Sequence, residues 1–316
     1  MALDDFLNKL TIDNAIVVIS SKDFEGHTEE HEEIFNTSYT KKEIPESAKK
    51  AFVEGLLAWR STDTELHLPP VNTLIPKTFD IAEGEANEPK LIKKKEDSDL
   101  WHMLDTEFKF PKTYIQLKIY TNHRNSYHCP KSIVLRKLWV ACFNSEMNSL
   151  NYLVEMAKSY FSIWGSPGFI DISGKCYSAS LRPYLEKLLD FMSKFKTFND
   201  ETLFEDKRKK MIIDMKGQLK SPPFRLGLMY YNNYLVDGEF STEQMIEALE
   251  EVDFEEFKKW RYNFLNRVRF EWLLEGNISK EEAIATVDHF EEQFGHIYGI
   301  KTLHRYQVQR LRPVKL

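Results

Sequence analysis

The sequence is short of several things, and each shortage excludes a class of protein. Three cysteines, Cys129, Cys142 and Cys176, are scattered through 316 residues in no ligand spacing. An odd number without a framework argues against a disulfide scaffold and for a reducing compartment, so a cytoplasmic location is expected. No window approaches the roughly 20 apolar residues that a membrane-spanning helix needs. The opening residues, MALDDFLNKL, are acidic and amphipathic, unlike a secretory leader. No membrane partner is expected. Excess basic charge is missing too: 43 Lys and Arg stand against 49 Asp and Glu, a net charge of −6. Residues 1–76 hold 7 basic against 14 acidic side chains, and the remainder is nearly balanced at 36 against 35. An acidic head on a neutral body offers no platform for nucleic acid. Internal repeats and low-complexity tracts are absent.

What is present is a core-forming composition, 42% hydrophobic with 22 Phe and 14 Tyr, long enough for one large domain or two moderate ones. The run Ala15-Ile16-Val17-Val18-Ile19 follows a helix end and a turn and predicts a strand buried on both faces. One strand and a piece of helix make no core, so the chain is expected to begin inside a domain. PESAKKAFVEGLLAWR predicts a short helix. The proline-rich stretch LHLPPVNTLIPKTFDIAEGEANEP predicts an extended linker, because proline removes backbone donors and holds its predecessor extended. LIKKKEDSDLWHMLD and KTYIQLKIYTN are two strand candidates, the lysines of the first suiting a guarded sheet edge better than a polyanion site. A long helical region covers KSIVLRKLWVACFNSEMNSLNYLVEMAKSYF. FSIWGSPGFIDISGKCY predicts a hairpin turning at Gly165-Ser166-Pro167-Gly168. Four helical segments are expected from about Ser180 to Asn263, one of them capped by Ser241 or Thr242. RVRFEWLLEGNISKEEAIATVDHFEEQF predicts a strand, a Gly-Asn turn and a helix capped by Ser279. LHRYQVQRLRP predicts a last extended segment. The pattern is α+β.

These blocks fall in a known order. NKLTIDNAIVVISSKDFEG resembles the segment that closes the second domain of the insulysin/pitrilysin-like zinc metallopeptidases, the inverzincins of peptidase family M16. LHLPPVNTLIPKTFDI is similar to the L-x-L-P-x-x-N-x-[FL]-I-P-x-x-F linker that joins their two halves. DLWHMLDTEFKFPKTYIQLKIYTN resembles the start of their third domain, and FIDISGKCY and LLEGNISKEEA its later hairpin and G-N-[IL]-[ST] turn. The resemblance runs through essentially the whole chain. It implies an α+β fold, a mixed or antiparallel sheet packed with several helices. It divides the chain into the end of a second domain (1–44), an inter-half linker with one short helix (45–88), a third domain (89–300) and the start of a following domain or tail (301–316). In that family four homologous domains form two bowl-shaped halves that close around a peptide, and zinc lies in the first domain alone. The resemblance therefore implies a non-catalytic central segment, inactive by itself, with no cofactor of its own and zinc in the parent enzyme. Its partners would be peptide substrates and the other domains of the same polypeptide. The rival implication is a free-standing, catalytically dead relative acting as a scaffold subunit, which the parent reading frame would distinguish.

One motif contradicts that reading on its face. His27-Thr28-Glu29-Glu30-His31 fits H-x-x-E-H, in which two imidazoles hold zinc and the carboxylate polarises its water. Histidines four apart converge only on a helix. Here Gly26 precedes the first, acids crowd the segment, and no apolar stripe would hold a helix to a core. Glu107 lies at a tempting distance for a third ligand but lacks the flanking pattern of the family. The helix that would carry the motif in the third domain reads SIVLRKLWVACFN, without His or Glu. We therefore expect His27, Glu30 and His31 to be a decoy and assign no metal or catalytic residue. Tyr127-His128-Cys129 suits a turn or helix entry better than a metal site. Tyr230, Tyr231 and Tyr234 have helical spacing that fits core or domain packing, the functional alternative being that they face substrate in the chamber. They are the candidate substrate-facing residues.

Overall fold

The computed structural model describes residues 2–58, 71–84, 88–121, 129–166, 168–235, 239–299 and 301–302. It divides into two compact units, Met1–Val71 and Asn72–Leu316. No described helix is long and apolar enough to cross a membrane.

The smaller unit holds helix α1 (Ala2–Leu7), single 3-10 turns at Ile12–Asn14 and Lys22–Phe24, the short strands β1 (Glu30–His31) and β2 (Ser38–Tyr39), and helix α2 (Glu46–Ala58). The strand expected at 15–19 is not formed. These residues have no regular structure, and Ile16 and Val18 are 92% and 83% exposed. A strand holds only when a neighbour satisfies its N–H and C=O groups. Among the described residues none runs beside this one.

The larger unit begins with strands β3 (Lys90–Lys94), β4 (Ser98–Leu104) and β5 (Lys112–Thr121), followed by helices α3 (Pro130–Glu146) and α4 (Asn148–Met156). The hairpin β6 (Tyr160–Ser166) and β7 (Phe169–Tyr177) leads into α5 (Ser178–Phe195), α6 (Glu201–Gln218), α7 (Pro223–Leu235), α8 (Thr242–Glu251) and α9 (Phe254–Phe264). Strand β8 (Arg267–Gly276), helix α10 (Lys280–Tyr298) and β9 (Lys301–Thr302) complete the described chain. The sheet runs β3-β4-β8-β5-β7-β6, with β9 beside β8. Pairings β4–β8 and β8–β9 are parallel and the others antiparallel. The α+β architecture is as expected.

Local chemistry sets the boundaries. Ser241 closes a capping box with Gln244 at the start of α8, and Ser279 accepts from the Glu282 N–H to start α10. Five helices stand where four were expected. Asp253 accepts from the Glu256 N–H at 2.7 Å and so begins α9 directly after α8 ends. The long helical region is likewise broken at Met147 and ends at Met156, and Tyr160 already belongs to β6. Gly276 has φ +109, and a side chain there would strike the Lys112 carbonyl, so the Gly-Asn turn requires glycine.

The core lies between one face of the sheet and the helices. Ile115, Leu117 and Ile119 of β5 alternate inward, as do Ile170 and Ile172 of β7 and Phe270, Trp272 and Leu274 of β8. Trp139 and Phe143 on α3 stack at 4.8 Å and meet Phe195 edge-on. The described part of the proline-rich stretch is not extended throughout: it turns at 72–75, where the Leu74 N–H donates to Asn72 Oδ1 at 3.0 Å, and it is clamped to the larger unit. Leu74 is buried, and its carbonyl accepts from Ser180 Oγ at 2.8 Å. Asn72 Nδ2 donates to the Leu153 carbonyl at 2.6 Å. Asn277 reads both sides of the strap, accepting from the Ala82 N–H at 2.7 Å and donating to the Asp80 carbonyl at 2.8 Å. The tail segment 303–313 and residues 122–128, with Tyr127 and His128, lie outside the described residues.

Candidate functional site

Helices α3, α4, α5 and α10 meet the sheet through the face that carries the isoleucines. Because successive side chains alternate, the register assembles the other residues into rows across the opposite face. One row runs Tyr160, Lys175, Tyr114, Glu275 and Met103. The next runs Ser162, Ser173, Gln116, Leu273 and Trp101, and the third Trp164, Asp171, Lys118, Glu271 and Asp99.

This face is polar in the middle and aromatic at the rim. Tyr120 Oη donates to Glu271 at 2.7 Å, Gln116 Nε2 to Asp171 at 3.2 Å, and the Ser162 and Ser173 hydroxyls lie 3.1 Å apart. Arg269 pairs with Asp99 at 2.5 Å, and the Lys118 ammonium sits over the Phe169 ring. Partial burial, with Asp171 and Glu275 nearby, raises the Tyr114 phenol and keeps it a hydrogen-bond donor. Tyr160 and Trp164 are each 63% exposed. At one end the face opens into a cleft of about 650 Å³ lined by Phe108, Phe110, Tyr114, Lys175 and Glu275. Such a surface can hold an extended polymer through aromatic contact and side-chain hydrogen bonds. The two buried thiols offer no nucleophile, since burial pushes Cys142 and Cys176 up to about 12.

The motif residues are placed otherwise. Glu30 and His31 form β1, facing Tyr39 and Ser38 of β2, and His27 lies in the loop before it, all three exposed. Tyr39 Oη donates to Glu30 at 2.9 Å, and His31 Nδ1 lies 3.2 Å from Ser38 Oγ. Glu30 and His31 lie on a strand, so the four-residue spacing of His27 and His31 is not placed on the helix that makes such histidines converge. Among the described residues no group of three or more His, Cys, Asp or Glu side chains could hold a metal. Glu107 lies in the loop after β4 and lines the open-face cleft.

Tyr230, Tyr231 and Tyr234 fall on α7, all exposed, so they do not pack into the core of this chain. Tyr230 Oη donates to Glu243 at 2.7 Å, and that bond raises the phenol and lowers the carboxyl. Sequence reasoning missed the open face. Its signal was the alternation in KTYIQLKIYT, where Tyr114, Gln116 and Lys118 are the outward set.

Residues 1–248 match a family described as the middle or third domain of peptidase M16. Insulin-degrading enzyme of Homo sapiens is 27% identical over 315 residues, covering 98% of this chain and 30% of the relative. The A-factor-processing enzyme of Saccharomyces cerevisiae is 24% identical over 289 residues, covering 89% of this chain and 27% of the relative. Among solved structures, pitrilysin matches with a TM-score of 0.68 at 17% identity, over 85% of this chain and 28% of that one. That likeness concerns the fold. The chain thus spans a little under a third of the length of the curated relatives it matches. An open-faced α+β sheet in this order, matched over most of its length, belongs to the peptidase M16 family and to its middle, or third, domain.

Proposed function

We propose that this chain is a non-catalytic central segment of a longer zinc metallopeptidase acting on peptides. Zinc and the water it activates would be supplied by a domain outside these residues. The chain's own work would be to form part of the wall of a substrate chamber and to carry the pivot between two halves. Relatives named for degrading insulin and for processing A-factor favour peptides as the substrate class. The observation that carries the reading is the open sheet face, polar at its centre and aromatic at its rim, with helices behind it. Residues 72–82 are held within the larger unit by hydrogen bonds with Leu153, Ser180 and Asn277. Cytoplasmic placement is part of the proposal and rests on the cysteine usage.

The test has two arms. The purified chain is expected to leave a fluorogenic peptide uncut and to hold no stoichiometric zinc. One zinc per chain, lost in His27→Ala, together with chelator-sensitive cleavage, would overturn the reading. In the full-length polypeptide, Lys118→Glu on the open face is expected to raise KM for peptides several-fold with kcat nearly unchanged, as loss of uniform binding does.

A further inference from the structure

The last strand of the sheet ends beside a cleft that the open face does not include. Strand β6 pairs with β7 on one side, and among the described residues no strand pairs with its other side. Its register fixes which groups face outward. Ser166 and Phe169 pair with two residues between them in sequence, and such a closing pair exchanges its main-chain bonds inward. By alternation, Phe161, Ile163 and Gly165 direct their N–H and C=O groups away from β7. The Ile163 carbonyl fits this, since it accepts from Asn144 Nδ2 of α3 at 3.1 Å.

Outside that edge lies a cleft of about 620 Å³ between β6 and helices α3 and α6. Val140, Met211 and Met215 give it apolar walls. Two polar groups in it have no hydrogen bond or ion pair among the described residues. Tyr184 is 1% exposed, lines the cleft, stacks on Phe161 at 3.5 Å, and its buried hydroxyl makes no hydrogen bond. A buried hydroxyl left unsatisfied is costly, so a ligand that engages it gains. Lys137 is half-buried in the same cleft and has no ion pair among the described residues. Glu239 acts on it at longer range, and burial lowers its pKa. Asp214, the acid that lines this cleft, is exposed at its rim, where water screens it.

We infer that the β6 edge and this cleft bind an extended peptide, which adds as a strand to the sheet and sets a carboxylate against Lys137. Main-chain bonds to the outward groups of Phe161 and Gly165 and to the Ile163 N–H would supply affinity, Asn144 holding the Ile163 carbonyl, and the apolar walls with the ammonium would supply selection. The inference stands on the cleft alone, so it survives or fails independently of the peptidase reading.

The probes are fluorescein-labelled octapeptides of alternating valine and threonine, with one glutamate placed at each position in turn, titrated into the intact chain by anisotropy. At least one is expected to bind, and N-methylation of the residues that face β6 should weaken it by about tenfold or more without touching the protein. Lys137→Met should weaken the glutamate peptide by about tenfold and leave its glutamine counterpart unchanged. Tyr184→Phe tests the hydroxyl while keeping the ring. The idea is overturned if no peptide binds, if N-methylation has no effect, or if Lys137→Met affects both peptides equally. A dimer that peptides do not dissociate in sedimentation would assign the edge to a second copy instead, and would overturn it too.

Discussion

The two edges of the larger sheet are built on opposite rules. Edge strand β3 reads KLIKK, with a register shift between Leu91 and Lys93 that bends it. Lys93 and Lys95 reach Asp288 of α10 at 2.5 and 3.0 Å, and Lys93 lies 3.6 Å from Glu291. Edge strand β6 reads YFSIWGS, without one charge and without a register shift. Charge and bulges are what proteins use to prevent an edge from pairing with another chain. One edge is therefore closed by electrostatics, and the other, apart from the Ile163 carbonyl that Asn144 takes, has no strand beside it among the described residues and borders a cleft. The difference teaches that an unguarded edge in an otherwise guarded sheet marks where a partner strand fits.

The strongest way to break the comparison is to unseat β6. Gly174 of β7 lies opposite Phe161, and a side chain there would strike the Phe161 ring and the Tyr160 carbonyl. Backbone cannot yield cheaply, so Gly174→Ala is expected to cost about 3 kcal/mol in urea unfolding. A cost below 1 kcal/mol would mean the edge shifts easily and has no fixed register. The matching break at β3 is smaller. Lys93 and Glu291 are largely buried, with side chains 11% and 12% exposed, and Lys93→Met leaves Glu291 with Lys95 at 3.8 Å as its remaining cation. We expect a loss of about 2 kcal/mol, below a fully buried pair because Asp288 and Lys95 stay half in water.

The pH dependence sharpens the same edge. Burial raises the Glu291 carboxyl above the ordinary glutamate value, against the pull of Ser98, Lys93, Lys95 and Trp272. A raised folded-state pKa favours the protonated form, so this contribution is full below the unfolded value and is lost as pH rises through the folded one. Asp288 behaves oppositely. Burial works against it, but the Lys93 and Lys95 hydrogen bonds hold it below the ordinary aspartate value. Its contribution is present above that ordinary value and lost as pH falls through the lowered one. Thermal melts from pH 4 to 7 should therefore show Glu291→Gln gaining on the wild type as pH rises, by about 1 kcal/mol or less. A gain as pH falls would mean that the lysines, not burial, dominate Glu291.

How much of this was legible in the sequence depends on the range of the interaction. The caps at Ser241 and Ser279 were legible because a cap is closed within three residues. The lysines of β3 were legible as an edge for the same reason. The clamp on the proline-rich strap was not, since Asn277 lies 195 residues from Ala82 and Ser180 lies 106 from Leu74. Ile16 to Ile19 show the converse error, where strand propensity was read without the ladder that a strand requires. His27 to His31 spell a helical spacing, yet Tyr39 and Ser38 take up Glu30 and His31 in a hairpin. The cleft had no linear signal at all, because its residues come from α3, α4, α5, α6 and β6.

The smallest effect is also the most direct exchange between the edges. Trp164 is exposed on β6 opposite Asp171 of β7, so Trp164→Lys gives the open edge one of the guards that β3 carries. Stability should change by no more than about 0.5 kcal/mol, since little packing is lost and a cross-strand pair with Asp171 is gained. Aggregation on heating should nonetheless slow, measured as the light-scattering rate at the onset of the thermal transition. Lys94→Val, which removes a guard from β3, should do the reverse at similarly small cost. If both variants aggregate like the wild type, the charges on β3 do not close that edge, and the bend between Leu91 and Lys93 must do so by itself. If only Trp164→Lys slows aggregation, β6 is the edge through which the chain meets other strands. The asymmetry read from the two strands would then have a measured counterpart that owes nothing to stability.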